Sequence, residues 1–282
     1  MAKVYIIDAS GEKEEFSADK VYESAKRAGA SLEVAREIAQ EIGKEVYDGI
    51  KTFEIFKRVK ELLSIKMPKA SLRFNLKEGI RRLGPTGFPF ERFTGEVFKS
   101  LGFKVETNLH IPGFCLADYE IDFVAQKGKE LYIGECKYRN LSGDKVHSKD
   151  ALANYARFLD IKKGPYFKES KNQGYQIRTV LVTNTKFTDD ARNYSACMGV
   201  YLLGWRYPKD KGLEAIIEES GLYPITILPS AAGYLKDVLV SEQIMLAKDV
   251  LKIEPNSFSK KFKIPARQIN SLIKEAKLLL GG

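Results

Sequence analysis

Cysteine, histidine and tryptophan are scarce in this chain: three, two and one among 282 residues. Cys115, Cys136 and Cys197 stand far apart with no C-x-x-C pair. That spacing excludes a disulfide framework and a thiolate zinc site, and it suits a reducing compartment. His110 and His147 have no second ligand at metal-binding spacing, which excludes a histidine zinc pair. No apolar run approaches the ~18–20 residues of a membrane span. The opening "MAKVYIIDASGEKEEF" lacks the apolar stretch and small-residue site of a secretory signal. The expectation is a cytoplasmic protein that does not engage a membrane. Internal repeats and low-complexity tracts are lacking as well.

Charge, by contrast, is plentiful. Lys and Arg number 46 against 37 Asp and Glu, a formal +9 with a pI near 9.2. A positive field of that size attracts polyanions, and nucleic acid is the natural partner class. A hydrophobic fraction of 44% is enough for buried cores, and the length suits two or three domains.

Three segments follow from the pattern. Residues 1–84 read as a short strand, a turn and four helices. Helix stripes are Val21, Ala25 and Ala28; then Leu32, Ala35, Ile38, Ala39, Ile42 and Val46 after a Ser31 cap. Ile55, Phe56, Val59, Leu62 and Leu63 follow a Thr52 cap, and Leu72, Leu76, Ile80 and Leu83 make the last stripe. The Gly/Pro cluster "GPTGFP" marks a boundary.

Residues 85–208 alternate helix and strand, the signature of an α/β sheet. Phe90, Phe93, Val97 and Leu101 line the first helix, which Gly102 ends. "KVETNL" is a strand, "SKDALANYARFLDI" a helix capped by Ser148, and "IRTVLVTN" a strand buried on both faces. Thr188 caps the next helix, Gly199 ends it, and "VYLLGW" closes the segment. Residues 209–282 read as a connector, "GLYPITILPSAAGYL", and two amphipathic helices, "SEQIMLAKDVLK" and "ARQINSLIKEAKLLL". Basic residues surround the turn before the last helix, as in small helical DNA-binding modules.

The most informative stretch is "DYEIDFVAQKGKELYIGECKYRN", Asp118 to Asn140. It reads as a β-hairpin with Gly128-Lys129 as a two-residue turn. Lys127 then pairs with Glu130, and counting back sets Asp122 opposite Glu135 on one face. Alternation puts Lys137 on that face too, with Leu131 and Ile133. Two carboxylates across a ladder repel. A hard divalent cation offsets that, since magnesium takes one or two carboxylates plus phosphate oxygens and water. A lysine two residues on can orient or deprotonate an attacking water. Asp118 and Glu120 share the face; one of them could assist. Cys136 points to the other side as a small core residue, and Trp205 packs a strand end.

The middle segment resembles the Mrr-like branch of the restriction-endonuclease-like, PD-(D/E)xK, nucleases over 88–206. "FERFTGEVFKSLGFKVE" looks like the family's first helix and strand, "DYEIDFVA" its D-x-x-x-D strand, and "GECKY" its (E/Q)xK strand. "VLVTNTKFTDDARNYSACMGVYLLGW" is similar to the closing strand–helix–strand. Residue 121 is Ile where the superfamily's name has Pro. The resemblance implies Asp122 and Glu135 as ligands of Mg2+, Lys137 as the water-orienting lysine, and Glu91 as the first-helix glutamate.

The first segment resembles the ATP-cone, a regulatory nucleotide-binding module. The resemblance rests on "GEKEEFSADKVYESAKRAG" and "TFEI", and it implies Lys20 as a phosphate contact with ATP or dATP as effector. Where that family carries a basic pair before the turn, this chain has Asp8 and Ala9.

Together the two resemblances imply an α/β fold: a mixed sheet flanked by helices, an ATP-cone-like domain at 1–84, a nuclease domain at 85–208 and a helical region at 209–282. The function they imply is a magnesium-dependent endonuclease acting on double-stranded DNA, with a homodimer compatible. The alternatives are a nucleotide-responsive DNA-binding protein that does not cut and an RNA-processing nuclease. Lys162, Lys163, Lys168 and Lys171, in a long loop, are candidate backbone contacts.

Overall fold

In the computed structural model, residues 3–84, 88–168 and 174–281 are described. Contacts group the chain into two compact units: 1–80 with 141–143 and 223–282, and 81–140 with 144–222. The residues after 208 are thus divided, 209–222 going with the sheet and 223–282 with the N-terminal helices. The boundary cluster at 85–87 and Lys171 lie outside the described residues.

The first unit opens with β1 (Tyr5–Ile7), β2 (Lys13–Glu15), α1 (Ala18–Arg27), α2 (Leu32–Glu45), β3 (Ile50–Lys51) and α3 (Thr52–Lys66). β1 pairs antiparallel with β2 and parallel with β3. Ser17 and Ser31 accept the backbone amides of Lys20 and Val34, satisfying orphan donors at the starts of α1 and α2. Lys51, not Thr52, is the cap of α3. The first three stripes meet in one core with Ile38, Ile42 and Leu63 at its centre, except for Leu32, which is exposed. The anticipated fourth helix is two short ones, α4 (Pro68–Phe74) and α5 (Leu76–Arg81). Between them the buried Asn75 takes φ −82° and ψ 2°, outside helical geometry.

The second unit is built on a five-stranded mixed sheet. Its elements are α6 (Phe88–Ser100), β4 (Lys104–Ile111), β5 (Tyr119–Lys127), β6 (Glu130–Cys136), β7 (Lys145–Val146), α7 (Ser148–Lys163), β8 (Gln176–Val182), β9 (Lys186–Phe187), α8 (Asp189–Met198), β10 (Tyr201–Leu203) and α9 (Leu213–Ser220). The sheet order is β10-β8-β6-β5-β4, with β7 and β9 forming a small parallel pair.

β4, β5 and β6 run antiparallel to their neighbours, whereas β6, β8 and β10 are parallel. α6 packs on one face, where Phe98 stacks near Phe123. Gly134 is required there, because a Cβ would fall 2.2 Å from the Phe123 ring. α7 packs on the other face, its Phe158 and Ile161 meeting Val124, Leu131 and Ile133. The stripe of α6 uses Phe98 in place of Leu101, which is exposed. His147, not Ser148, occupies the cap position of α7. Trp205 is buried.

The C-terminal stretch returns to the first unit with α10 (Gly233–Ser241), α11 (Ala247–Val250), α12 (Pro255–Phe262) and α13 (Ala266–Leu280). The supposed connector is core, with Tyr223, Ile225, Ile227 and Leu228 buried. "SEQIMLAKDVLK" is not one helix. Ser241 ends α10, and only Ala247–Val250 is helical beyond it. No helix among the described residues is long and apolar enough to cross a membrane.

Candidate active site

The hairpin turn sets the geometry. Gly128 takes φ +57°, as the first central position of such a turn demands, and Lys127 pairs with Glu130. The ladder runs to Phe123 opposite Gly134, so one step further Asp122 faces Glu135. At that step a side chain joins the strands: Oδ2 of Asp122 accepts the Cys136 backbone N–H at 2.6 Å.

Glu135 is buried and its two oxygens are held by two cations. Lys137 Nζ lies 2.5 Å from Oε1, and Arg157 Nη1 lies 2.7 Å from Oε2. A buried carboxylate needs such partners, because desolvation of an unpaired charge costs several kcal/mol, on the order of 3–5 when one partner is removed. Arg157 also donates to the Glu120 carbonyl at 3.3 Å.

Beneath this, the end of β8 fixes the chain that carries Lys137. The Lys137 amide bonds the Val182 carbonyl at 2.7 Å, and Thr183 Oγ1 donates to the Lys137 carbonyl at 2.6 Å. The Asn184 side chain then brackets Arg139, accepting from its amide at 2.8 Å and donating to its carbonyl at 2.7 Å. Arg139 itself pairs with Asp150 at 3.2 Å.

The electrostatics of the site are frustrated. Asp122 is pushed up from the usual carboxylate range to about 7, by burial first, then by Glu135 and Glu91; the Cys136 amide and Lys137 pull against this. The Glu91 carboxyl, from the first turn of α6, is also raised, by burial, then Glu120, then Glu135. The thiol of the half-buried Cys136 is held well above its ordinary value by desolvation and by Asp122.

The structure therefore brings Asp122, Glu135, Lys137 and Glu91 into one electrostatic neighbourhood and adds Glu120. Asp118 is elsewhere, paired with His110 at 2.8 Å on the surface. Among the described residues no three His, Cys, Asp or Glu side chains are grouped as metal ligands, so a cation here would take two carboxylates at most from the protein. Lys20 lies in the first unit, bonded to Glu14 at 2.7 Å with both side chains exposed.

Arg157, Thr183 and Asn184 escaped the sequence reading. Arg157 did leave a signal. It sits at helical spacing among Asn154, Phe158 and Ile161, on a stripe where packing asks for apolar residues.

With this geometry in place, the relatives can be set beside it. An uncharacterized protein of Archaeoglobus fulgidus is 35% identical over 182 residues, 64% of this chain and 95% of its own length. The chain belongs to the AF1548-like family. The family's C-terminal model matches residues 223–280. The crystal structure of the protein of unknown function AF1548 is similar at 32% identity and a TM-score of 0.57, covering 70% of this chain and all of that one. The MspJI restriction endonuclease in complex with a 27-mer oligonucleotide shows a slighter likeness. It is 15% identical with a TM-score of 0.36, over 62% of this chain and 36% of that one, too little to say anything of this chain's chemistry.

The raised Asp122 makes a stability prediction. Its folded value of about 7 exceeds the unfolded value of about 3.9, so between those pH values the folded state holds a proton that the unfolded state releases. Stability is thus lost as pH rises through that window, and the full penalty is present above it. Asp122→Asn keeps an acceptor for the Cys136 amide and removes the charge. Its stability relative to wild type should rise between pH 4 and pH 8, by on the order of 4 kcal/mol at most. Urea unfolding at both pH values measures this; a difference that does not change with pH would contradict it.

Proposed function

We propose that this protein is a magnesium-dependent endonuclease that hydrolyses phosphodiester bonds of double-stranded DNA, with a restriction-endonuclease-like second unit. The observation that carries the reading is the meeting of Asp122 and Glu135, register neighbours on adjacent strands, with Lys137 bonded to Glu135. Packing does not call for two facing carboxylates, one of them held near pH 7 by burial and by the other's charge. The net charge of +9 suits a polyanionic substrate.

The donor set fits a hard divalent cation that accepts two protein carboxylates and completes its shell with substrate oxygens and water. Among the described residues Asp122 Oδ1 has no hydrogen-bond partner, which leaves it for such a ligand. Mg2+, when bound, would neutralise phosphate charge and make a nearby water more acidic.

The chain's own residues do the rest. Lys137 holds an ammonium beside Glu135, where it orients the attacking water, takes its proton or offsets charge growing on the phosphoryl oxygens. Arg157 fixes the far oxygen of Glu135 and so sets its rotamer. Glu91, on the opposing helix, adds a carboxylate able to hold a second ion or its water. Thr183 and Asn184 keep the Lys137 backbone in place.

Asp122→Ala, Glu135→Ala and Lys137→Ala should each abolish Mg2+-dependent cleavage of plasmid DNA, at least 100-fold in rate, with the folded circular dichroism spectrum retained. Cleavage that survives in all three would remove the assignment. Wild-type protein that binds DNA but never cuts it, at any Mg2+ concentration, would favour the DNA-binding reading. Cleavage of RNA alone would favour the RNA-processing one.

For the first unit we propose an ATP-cone-like regulatory role, with ATP or dATP as effector. Its support is a cavity of about 180 Å3 bordered by Lys20, Glu14, Ser17, Ser24 and Thr52. That is smaller than the ~300 Å3 at which ligand pockets begin, so a nucleotide would have to open it and part Lys20 from Glu14. Calorimetry with ATP and dATP should show binding that Lys20→Ala weakens at least tenfold. No heat at millimolar nucleotide would rule the effector out.

A further inference from the structure

The second unit contains a larger recess that the candidate active site does not use. A cleft of about 730 Å3 is bordered by Lys145, Lys186, Arg192, Arg206 and Tyr207. Lys145 and Lys186 are direct register partners across the parallel pair β7–β9. Their neighbours Val146 and Phe187 are buried, so the two short strands turn apolar side chains inward and ammonium groups outward.

Like charges set opposite each other on paired strands destabilise the pairing, and among the described residues no ion pair offsets them. Neither lysine has an ion pair or hydrogen bond to any described residue. The other cations around the cleft are already matched: Arg192 pairs with Asp189, and Arg206 pairs with Glu214 at 2.5 Å. Asp190 also borders the cleft, in the first turn of α8, where the helix dipole favours it. With Glu214, which pairs with Arg206 from outside the lining, four cations meet three carboxylates, and the excess positive charge rests on the lysine pair.

The cleft is tied to the candidate active site through the backbone. Thr183 bonds the Lys137 carbonyl, and Thr185, two residues on, lines the cleft and donates its hydroxyl to the Asp144 carbonyl, just before Lys145. Two residues span at most about 7 Å. The stretch after β8 thus touches the backbone of Lys137 at Thr183 and the cleft at Thr185. A nucleic-acid strand carries a negative charge every ~3.4 Å of axis, so a strand engaged at Asp122 and Glu135 carries further phosphates to either side of them.

We propose that Lys145 and Lys186 form a clamp for a backbone phosphate of DNA, a few nucleotides from the bond presented to the carboxylates. This rests on the nuclease reading for its register but is tested without cleavage. Fluorescence anisotropy of a labelled 30-base-pair duplex, in EDTA and across 50–200 mM salt, should show at least fivefold weaker binding by the K145A/K186A double variant. The slope of log affinity against log salt should become shallower by about one, since the one lost phosphate contact removes ~0.9. K145R/K186R should restore both.

In Mg2+ the alanine double variant should raise KM and leave kcat near wild type. Affinity and salt slope that match wild type would overturn the clamp even if Asp122→Ala abolishes cutting. A clamp effect seen in a protein whose cleavage survives Asp122→Ala, Glu135→Ala and Lys137→Ala would leave the clamp and remove the active site. An effect confined to duplex RNA would overturn the DNA assignment.

Discussion

Mutual repulsion among carboxylates is the constraint on which the second unit turns. Asp122, Glu135, Glu91 and Glu120 gather at one end of a buried sheet, where low dielectric strengthens every like-charge contact. Two cations, Lys137 and Arg157, are both spent on Glu135. Burial and what remains of the repulsion fall on Asp122, whose proton is therefore held to about pH 7. A fold optimised for stability alone would place an apolar pair here. Retaining the acids is the reason for proposing a cation site.

The scaffold is arranged to hold that conflict still. The antiparallel hairpin delivers Asp122 and Glu135 from neighbouring strands, and the parallel pairing of β6 with β8 locks the strand that carries Glu135. Helices cover both faces. Beyond the last ladder pair, side chains replace backbone bonds: Asp122 takes the Cys136 amide, Thr183 the Lys137 carbonyl and Asn184 both polar groups of Arg139. Rigid supports of this kind keep reacting groups within the small tolerances that catalysis needs.

The hairpin was legible because its signals agree. Gly128-Lys129 specifies the turn length, the turn specifies the register, and period-two alternation then decides which side chains share a face. The stripe of α6 and the caps Ser31 and Thr188 were readable on the same local grounds. What stayed hidden depends on tertiary context. Arg157 lies 22 residues from its carboxylate partner, and only packing of α7 on the sheet brings them together. The break at Asn75 and the burial of Tyr223–Leu228 have the same origin: an apolar, turn-rich stretch reads as a connector until another part of the chain supplies the surface that buries it. That second part is the N-terminal unit, to which residues 223–282 return.

The most direct test is a 13C titration of the Asp122 side-chain carboxyl in the intact protein, without and with saturating Mg2+. The account predicts a midpoint near 7 in the absence of the ion and a displacement to well below that when Mg2+ is present. A midpoint near the ordinary value of about 4, unmoved by Mg2+, would contradict it.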